Sequence, residues 1–340
     1  MKKLIFVLVI MIGFVFIIAN ITEVQSIADT LRQGEMRYIF ISVVLIFVWI
    51  LNVAITYWIV YRGVGLEEKY ERIVVLSSAS FFVNVIAPSV GVGGLAVFIA
   101  EARRRGYSTA RVTVASVLVV LFDYLGFLCV LALGLVVLIR RNNLGTSELV
   151  ASAILLIIAF IYVTLLFLGL KSGDALGRVL AKAAHTINRL IWPFLHHQYL
   201  SESRAYEFAQ EASNGLALLR QKPINLILPL FLGLFSKIIL STILLCMFLA
   251  FNIPFSAGTI VAGFSIGYLF LIVSPTPAGI GFVEGALTLG LSTLGLSLGA
   301  ATVLALAYRG VTFWIPLFLG MFSFRWLSRT EKIEAEVPGS

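Results

Sequence analysis

Charge is what this chain has least of. Only 12% of its 340 residues are Asp, Glu, Lys or Arg, roughly half the share of a soluble domain. With 60% hydrophobic residues and a mean hydropathy of +1.03, that scarcity excludes a soluble fold and points to an all-α polytopic membrane protein. Histidine is scarcer still. His185, His196 and His197 lack an acidic partner at metal-ligand spacing, so no metal or other cofactor is expected. The two cysteines, Cys129 and Cys246, both lie in apolar runs, which excludes a disulfide framework or a cysteine zinc site. No nucleophile elbow, P-loop or acidic metal motif occurs, and a non-enzyme is expected. The net charge of +8 comes without an aromatic-plus-basic module. It fits cytoplasmic loops facing anionic headgroups, not nucleic acid.

What the chain has is apolar length. Runs able to cross about 30 Å of hydrocarbon occupy residues 4–20, 38–61, 112–139, 149–170, 223–250 and 299–327 of one membrane domain. The first follows Met1-Lys2-Lys3 and is too long for a signal-peptide core, so an uncleaved span with a cytoplasmic N-terminus is expected. Two further apolar regions, 73–102 and 256–293, are interrupted by Pro/Gly clusters around Pro88 and around Pro275 and Pro277. If both are re-entrant hairpins of half-helices, then 62–72, Arg103-Arg104-Arg105, the segment 171–222 and the C-terminal Arg325, Arg329 and Lys332 all fall in the cytoplasm of a cell-membrane protein. Arg140 and Arg141 are the exception, on the outer side. The alternative is eight full spans.

The hairpin arrangement makes 38–139 and 223–327 an inverted repeat, with 149–170 as a linking span. Asn84 to Gly94 echoes Ile272 to Gly281, and each hairpin leaves through a Gly/Ser turn, Gly106 and Ser108 or Gly295 and Ser297. Leu176, Val179, Leu180, Ala183 and Ile187 give an amphipathic helix on the inner surface that ends at Trp192-Pro193, followed by a second helix from Ser201 to Leu219. A plain cytoplasmic helical linker is an equal reading. Trp49, Trp58, Trp314 and Trp326 read as interfacial or packing aromatics, and Gly263, Gly267, Gly290 and Gly295 as packing glycines.

Asp123, Lys237 and Arg309 fall near the middle of spans, and Glu284 in the first turn after the second break. At about 2.5–3.5 kcal/mol each, unpaired charges at that depth would be costly. Two acids and two bases can pair, as Asp123–Arg309 and Glu284–Lys237, and structural ion pairs are one reading. The other is a headgroup site. Half-helices starting after Gly93-Gly94 and after Gly279 and Gly281 would offer backbone N–H groups to a phosphate. Glu284 would compete for those groups and take up a proton on displacement. Asn84 sits at the first break beside them.

Pro275-x-Pro277-x-Gly279-x-Gly281-x-x-Glu284, then Gly295, Ala300-Ala301, Tyr308-Arg309 and Thr312-Phe313-Trp314-Ile315-Pro316, resembles the C-terminal signature of the lysylphosphatidylglycerol synthase transmembrane, or flippase-like, family. Pro88, Gly93-Gly94, Arg104-Arg105-Gly106, Ser108 and Asp123 agree in the first half, so the resemblance covers residues 38–327. It implies a protein related to the domain that moves aminoacylated phosphatidylglycerol between leaflets, with Asp123, Glu284 and Arg309 as the family's intramembrane charges. Ala278 replaces one glycine usual after the second proline, and Val119-Val120 an expected Glu-Arg. No soluble synthase domain accompanies the match, and Lys237 comes from charge placement alone. The expected function is translocation of a phospholipid or lipid-linked headgroup, with membrane phospholipids as partners. The alternatives are an ion-coupled carrier of a small solute and a non-transporting partner of a membrane-bound transferase.

Overall fold

The computed structural model describes residues 21–86, 93–195, 201–220 and 224–336, and all regular structure in them is helical. The expected first span at 4–20, Pro88 and the His196-His197 pair lie outside the described residues. Among the described residues, five helical stretches are long and apolar enough to cross a membrane: Met36–Gly63, Thr109–Arg140, Thr146–Lys171, Leu226–Ala250 and Leu298–Ser328. They coincide with the remaining uninterrupted runs. The protein is an integral multi-pass α-helical membrane protein.

In chain order the helices are α1 (Ile21–Gln33), α2 (Met36–Gly63), α3 (Tyr70–Ile86), α4 (Leu95–Arg105), α5 (Thr109–Arg140), α6 (Thr146–Lys171), α7 (Gly173–Leu195), α8 (Glu202–Arg220), α9 (Ile224–Ala250), α10 (Ala257–Val273), α11 (Phe282–Thr293), α12 (Leu298–Arg309) and α13 (Ile315–Glu336). A 3₁₀ turn at Pro277–Gly279 separates α10 from α11, and a π turn at Gly310–Trp314 joins α12 to α13. That π turn has a local cause. Pro316 has no N–H to give the carbonyl four residues back, and its ring crowds it, so the helix widens there.

α3 and α4 form a hairpin whose two outer ends meet. Arg72 at the start of α3 donates from Nε to Glu101 Oε1 at 2.9 Å, near the end of α4. Arg104 and Arg105 converge on the same carboxylate at 3.2 and 2.9 Å, and Arg105 also reaches Glu68 at 3.3 Å. Asn84 closes the inner end: its Oδ1 accepts from Gly94 N at 2.6 Å. A Cβ on Gly94 would stand 2.8 Å from Ser80 Cβ, so α3 and α4 touch there only because residue 94 has none.

α10 and α11 form the second hairpin. Gly263 faces Leu291, Gly267 faces Leu287 and Gly290 faces Ile266, so three of the four suspected packing glycines do let these helices approach. Gly295 instead makes a turn at φ +100°. The outer ends of this hairpin are held by Arg141, which donates to Ser256 Oγ at 2.8 Å and Thr259 Oγ1 at 3.2 Å. Asn143 Nδ2 also donates to Thr293 O at 2.6 Å. Arg141, an exception to the charge rule, thus has a structural task.

The bases of the two hairpins lie at opposite ends of α5, whose 32 residues extend for about 48 Å. At the N-terminal end of α5 the chain leaves α4 through Gly106 (φ +69°) and the N-cap Ser108; after α11 it leaves through Gly295 and the N-cap Ser297. The first end also gathers the exit of α2, the α7–α8 pair and, through Arg72 over Trp326, the C-terminal part of α13. α2 and α9 pack together, α5 runs between α9 and α10, and α13 packs along α3.

Two features depart from expectation. α7 does not stop at Trp192-Pro193 but continues to Leu195, since a helix loses one hydrogen bond at proline without having to end. It also pairs with α8, and Leu216 and Leu219 of α8 are buried in the bundle core, so the pair is docked on the bundle. α1 was not anticipated, and its Ile27 sits against Gly310 of the π turn.

Candidate functional site

α3 and the second break meet at a cavity of about 490 Å³, within the roughly 300–1,000 Å³ typical of small-molecule sites. Ser80 and Asn84 of α3 line one side of it, and Ser274, Pro275, Thr276, Pro277 and Ala278 of the second break line the other. Asp123 of α5, Tyr268 of α10 and Arg309 of α12 close it. Asn52 and Thr56 of α2, Ser236 of α9 and Thr312 of the π turn add polar groups.

The intramembrane charges pair the other way round from the pairs expected. Lys237 Nζ donates to Asp123 Oδ1 at 2.5 Å, and Arg309 Nε donates to Glu284 Oε1 at 2.7 Å. Register between helices decides this. α5 and α9 cross at Gly126 and Gly233, where backbone meets backbone and a Cβ on Gly126 would fall 2.5 Å from the Gly233 carbonyl carbon. Asp123 lies one turn before Gly126 and Lys237 one turn after Gly233, so the crossing delivers the two side chains to each other. Asn52 Nδ2 donates to Leu232 O at 3.0 Å, tying α2 to the same place.

The Asp123–Lys237 pair has a third member that the sequence reading missed. Tyr268 OH donates to Asp123 Oδ2 at 2.7 Å and accepts from Lys237 Nζ at 2.6 Å. The available signal was a tyrosine hydroxyl seven residues before the second break, which needs a partner if buried. Exposure within this group is unequal: Lys237 is sealed at 0%, while the Asp123 side chain is 28% exposed.

Arg309 braces the second break. Its Nη2 donates to Ala278 O at 3.0 Å, holding a non-glycine residue at φ +49°. Gly279 and Gly281 follow at φ +78° and +72°, values an L side chain rarely adopts. Nη1 makes no hydrogen bond to the described residues, and Phe313 lies with its ring centroid 4.6 Å from the Arg309 Cζ. Glu284 is buried and its Oε2 has no partner among the described residues. Its other oxygen holds Arg309, so it does not cap its own helix as expected. Among the named glycines, Gly93, Gly94, Gly279 and Gly281 shape the breaks and are not among the lining residues. The Gly94 N–H is occupied by Asn84. Trp49, expected at an interface or in packing, stacks on Phe81 and lines the cavity, and Trp314, the last residue of the π turn, is buried in the core.

The geometry is that of a mostly apolar cavity inside the bundle, with one carboxylate and one guanidinium among a few polar groups on its walls. Comparison with known proteins agrees with the bundle as a whole. The chain is 22% identical over 322 residues, 92% of its length and 93% of the relative's, to a UPF0104 membrane protein of Methanothermobacter thermautotrophicus. It is 25% identical over 338 residues, 94% of its length and 96% of the relative's, to another UPF0104 membrane protein, from Pyrococcus horikoshii. The family described as the lysylphosphatidylglycerol synthase TM region matches residues 4–320, and the chain belongs to that family.

Proposed function

We propose that this protein carries a phospholipid or lipid-linked headgroup between leaflets through the cavity, breaking no covalent bond in it. The observation that carries the reading is one cavity lined by Ser80 and Asn84 of α3 and by the second helix break, and bearing Asp123 and Arg309. A headgroup with phosphate has a guanidinium to meet, and irregular backbone at membrane depth is tolerated where it lines such a cavity.

In this reading the two hairpins are re-entrant, the halves form an inverted repeat, and both termini face the cytoplasm of the cell membrane. Helix lengths support it. α3 and α10 have 17 residues each, about 26 Å, and α4 and α11 only 11 and 12, about 17–18 Å, all short of about 30 Å. Packing supports it too. Exchanging the halves turns the α5–α10 contact into the α13–α3 contact and leaves α2–α9 unchanged, although α5 packs closely on α9 and α13 only lightly on α2. The basic groups of 62–72, 103–105 and 171–189 gather at one end.

The test is reconstitution into vesicles with headgroup-labelled phospholipids, scoring label that becomes protected from a membrane-impermeant quencher. Wild type is expected to move lipid and Arg309→Ala to lose at least tenfold in rate. Equal rates in wild type, Arg309→Ala and protein-free vesicles would end the proposal.

A further inference from the structure

Resting on the cavity reading above, we propose that Asp123–Lys237 is an exchangeable pair. An ammonium group entering the cavity takes over Asp123, and Lys237 gives up one proton, so that cation binding and proton release are linked.

The reasoning starts from the inequality between the partners. Asp123 lines the cavity and Lys237 does not, so a ligand cation reaches the carboxylate without reaching the lysine. The titratable groups facing Lys237 from the helices packed on it are Asp123 of α5 and Tyr268 of α10. Tyr57 of α2, Tyr124 of α5 and Tyr308 of α12 face that pair in turn. Asp123 is therefore the one anion that Lys237 has among the described residues. Once Asp123 turns to another cation, Lys237 is left as a sealed ammonium without a counter-charge. Such a state is strongly disfavoured, and shedding the proton removes it.

The balance closes. The Asp123 carboxylate, the Lys237 ammonium and an incoming ammonium become the carboxylate paired with the incoming ammonium, a neutral lysine amine and one free proton. No oxidant or second substrate is needed. Tyr268 supplies the path: its oxygen accepts from Lys237 Nζ, its hydroxyl proton is already shared with Asp123 Oδ2, and it lines the cavity. The walls suit an ammonium. Trp49, Tyr57, Phe81, Tyr124 and Tyr268 line the same cavity with aromatic surface, which favours a desolvated cation.

The test uses the full chain in detergent, in weak buffer with a pH-indicator dye. The probes are dihexanoyl phosphatidylethanolamine, dihexanoyl phosphatidylglycerol and free ethanolamine, with binding followed in parallel by calorimetry. Phosphatidylethanolamine is expected to release about one proton per molecule bound in wild type, and phosphatidylglycerol none. Lys237→Arg keeps the buried cation and its hydrogen bonds but holds its proton, so it should bind the amine at least tenfold more weakly and release none. Lys237→Met should bind it without release. Binding by wild type without proton release, equal release by wild type and Lys237→Met, or no binding of any amine would overturn the inference. Release on ethanolamine as large as on the lipid would uphold the exchange and assign it to a free amine. In vesicles, lipid movement without amine-linked proton release would refute the exchange and leave the translocation reading standing.

Discussion

Gly126→Ala is a single methyl group added where two backbones touch. The new Cβ would lie 2.5 Å from the Gly233 carbonyl carbon and 2.6 Å from Leu234 N, with no flexible side chain to yield. Restoring ordinary contact requires α5 and α9 to part by about 1 Å. That separation lengthens the 2.5 Å Asp123–Lys237 bond past the hydrogen-bond limit of about 3.2 Å. Overpacking of this kind costs about 1–3 kcal/mol, partly offset by the roughly 1 kcal/mol that alanine gains over glycine in a helix. The loss from the stretched pair comes on top. A mutant cycle separates the terms. Replacing the pair by Asp123→Leu with Lys237→Met removes the electrostatic part, and buried pairs exchanged for apolar groups are often close to neutral. Measured by reversible unfolding in mixed micelles, Gly126→Ala should then cost less in the pair-free background than in wild type, by an amount in the roughly 0.5–3 kcal/mol range of coupled neighbours. Equal costs in both backgrounds, or no cost in either, would show that the glycine crossing does not set the distance of the ion pair.

Asn84→Ala removes the acceptor of the Gly94 N–H and should cost about 1 kcal/mol, as lost N-caps do; faster amide exchange at residue 94, with the outer end of the hairpin unchanged, is the expected reading. Glu101→Gln takes its carboxylate from the largely buried Arg72 and from the partly exposed Arg105, which keeps Glu68, and a loss of roughly 1–3 kcal/mol is expected. High salt should not reproduce that loss, because a buried pair is weakly screened. Pro316→Ala restores the missing N–H and should convert the π turn to regular helix, raising thermal stability while shifting Arg309 against the second break; lipid movement in vesicles is expected to fall at least tenfold.

The spans were legible because about twenty apolar residues in a row have few other uses, and the breaks because proline and paired glycine end helices wherever they occur. The four intramembrane charges were legible because charge is so rare inside those runs that each instance stands out. Their pairing was not. It depends on the register of α5 against α9, set by Gly126 and Gly233, two glycines among 28 that carry no mark of their role. Tyr268 escaped because a tyrosine in an apolar run resembles a packing aromatic until its hydroxyl partner is known. That Trp49 lines the cavity was hidden for a related reason, since the sequence gives its position along a helix but not the face on which a cavity opens. The end of α7 was misjudged by treating proline as a stop, when a helix can lose one hydrogen bond without ending.

The way the charges pair matters beyond neutrality. Had Asp123 paired with Arg309, the two charges on the cavity wall would have cancelled each other, and the cavity would offer a ligand little field. Instead each has a partner set back from it. Lys237 is sealed behind Asp123, and Glu284, absent from the cavity lining, holds Arg309 from the side. The bundle interior is neutral pair by pair, which limits the cost of burial, yet the cavity wall carries a carboxylate and a guanidinium. The backing groups also fix geometry. Lys237 and Tyr268 hold both oxygens of Asp123, while Glu284 and Ala278 O hold two of the three guanidinium nitrogens of Arg309. Preorganised charges of both signs favour a ligand that carries both. A phosphate alone would meet the Asp123 field as well as that of Arg309. In the translocation proposed above, the arrangement would discriminate by charge pattern before any contact with an acyl chain is made.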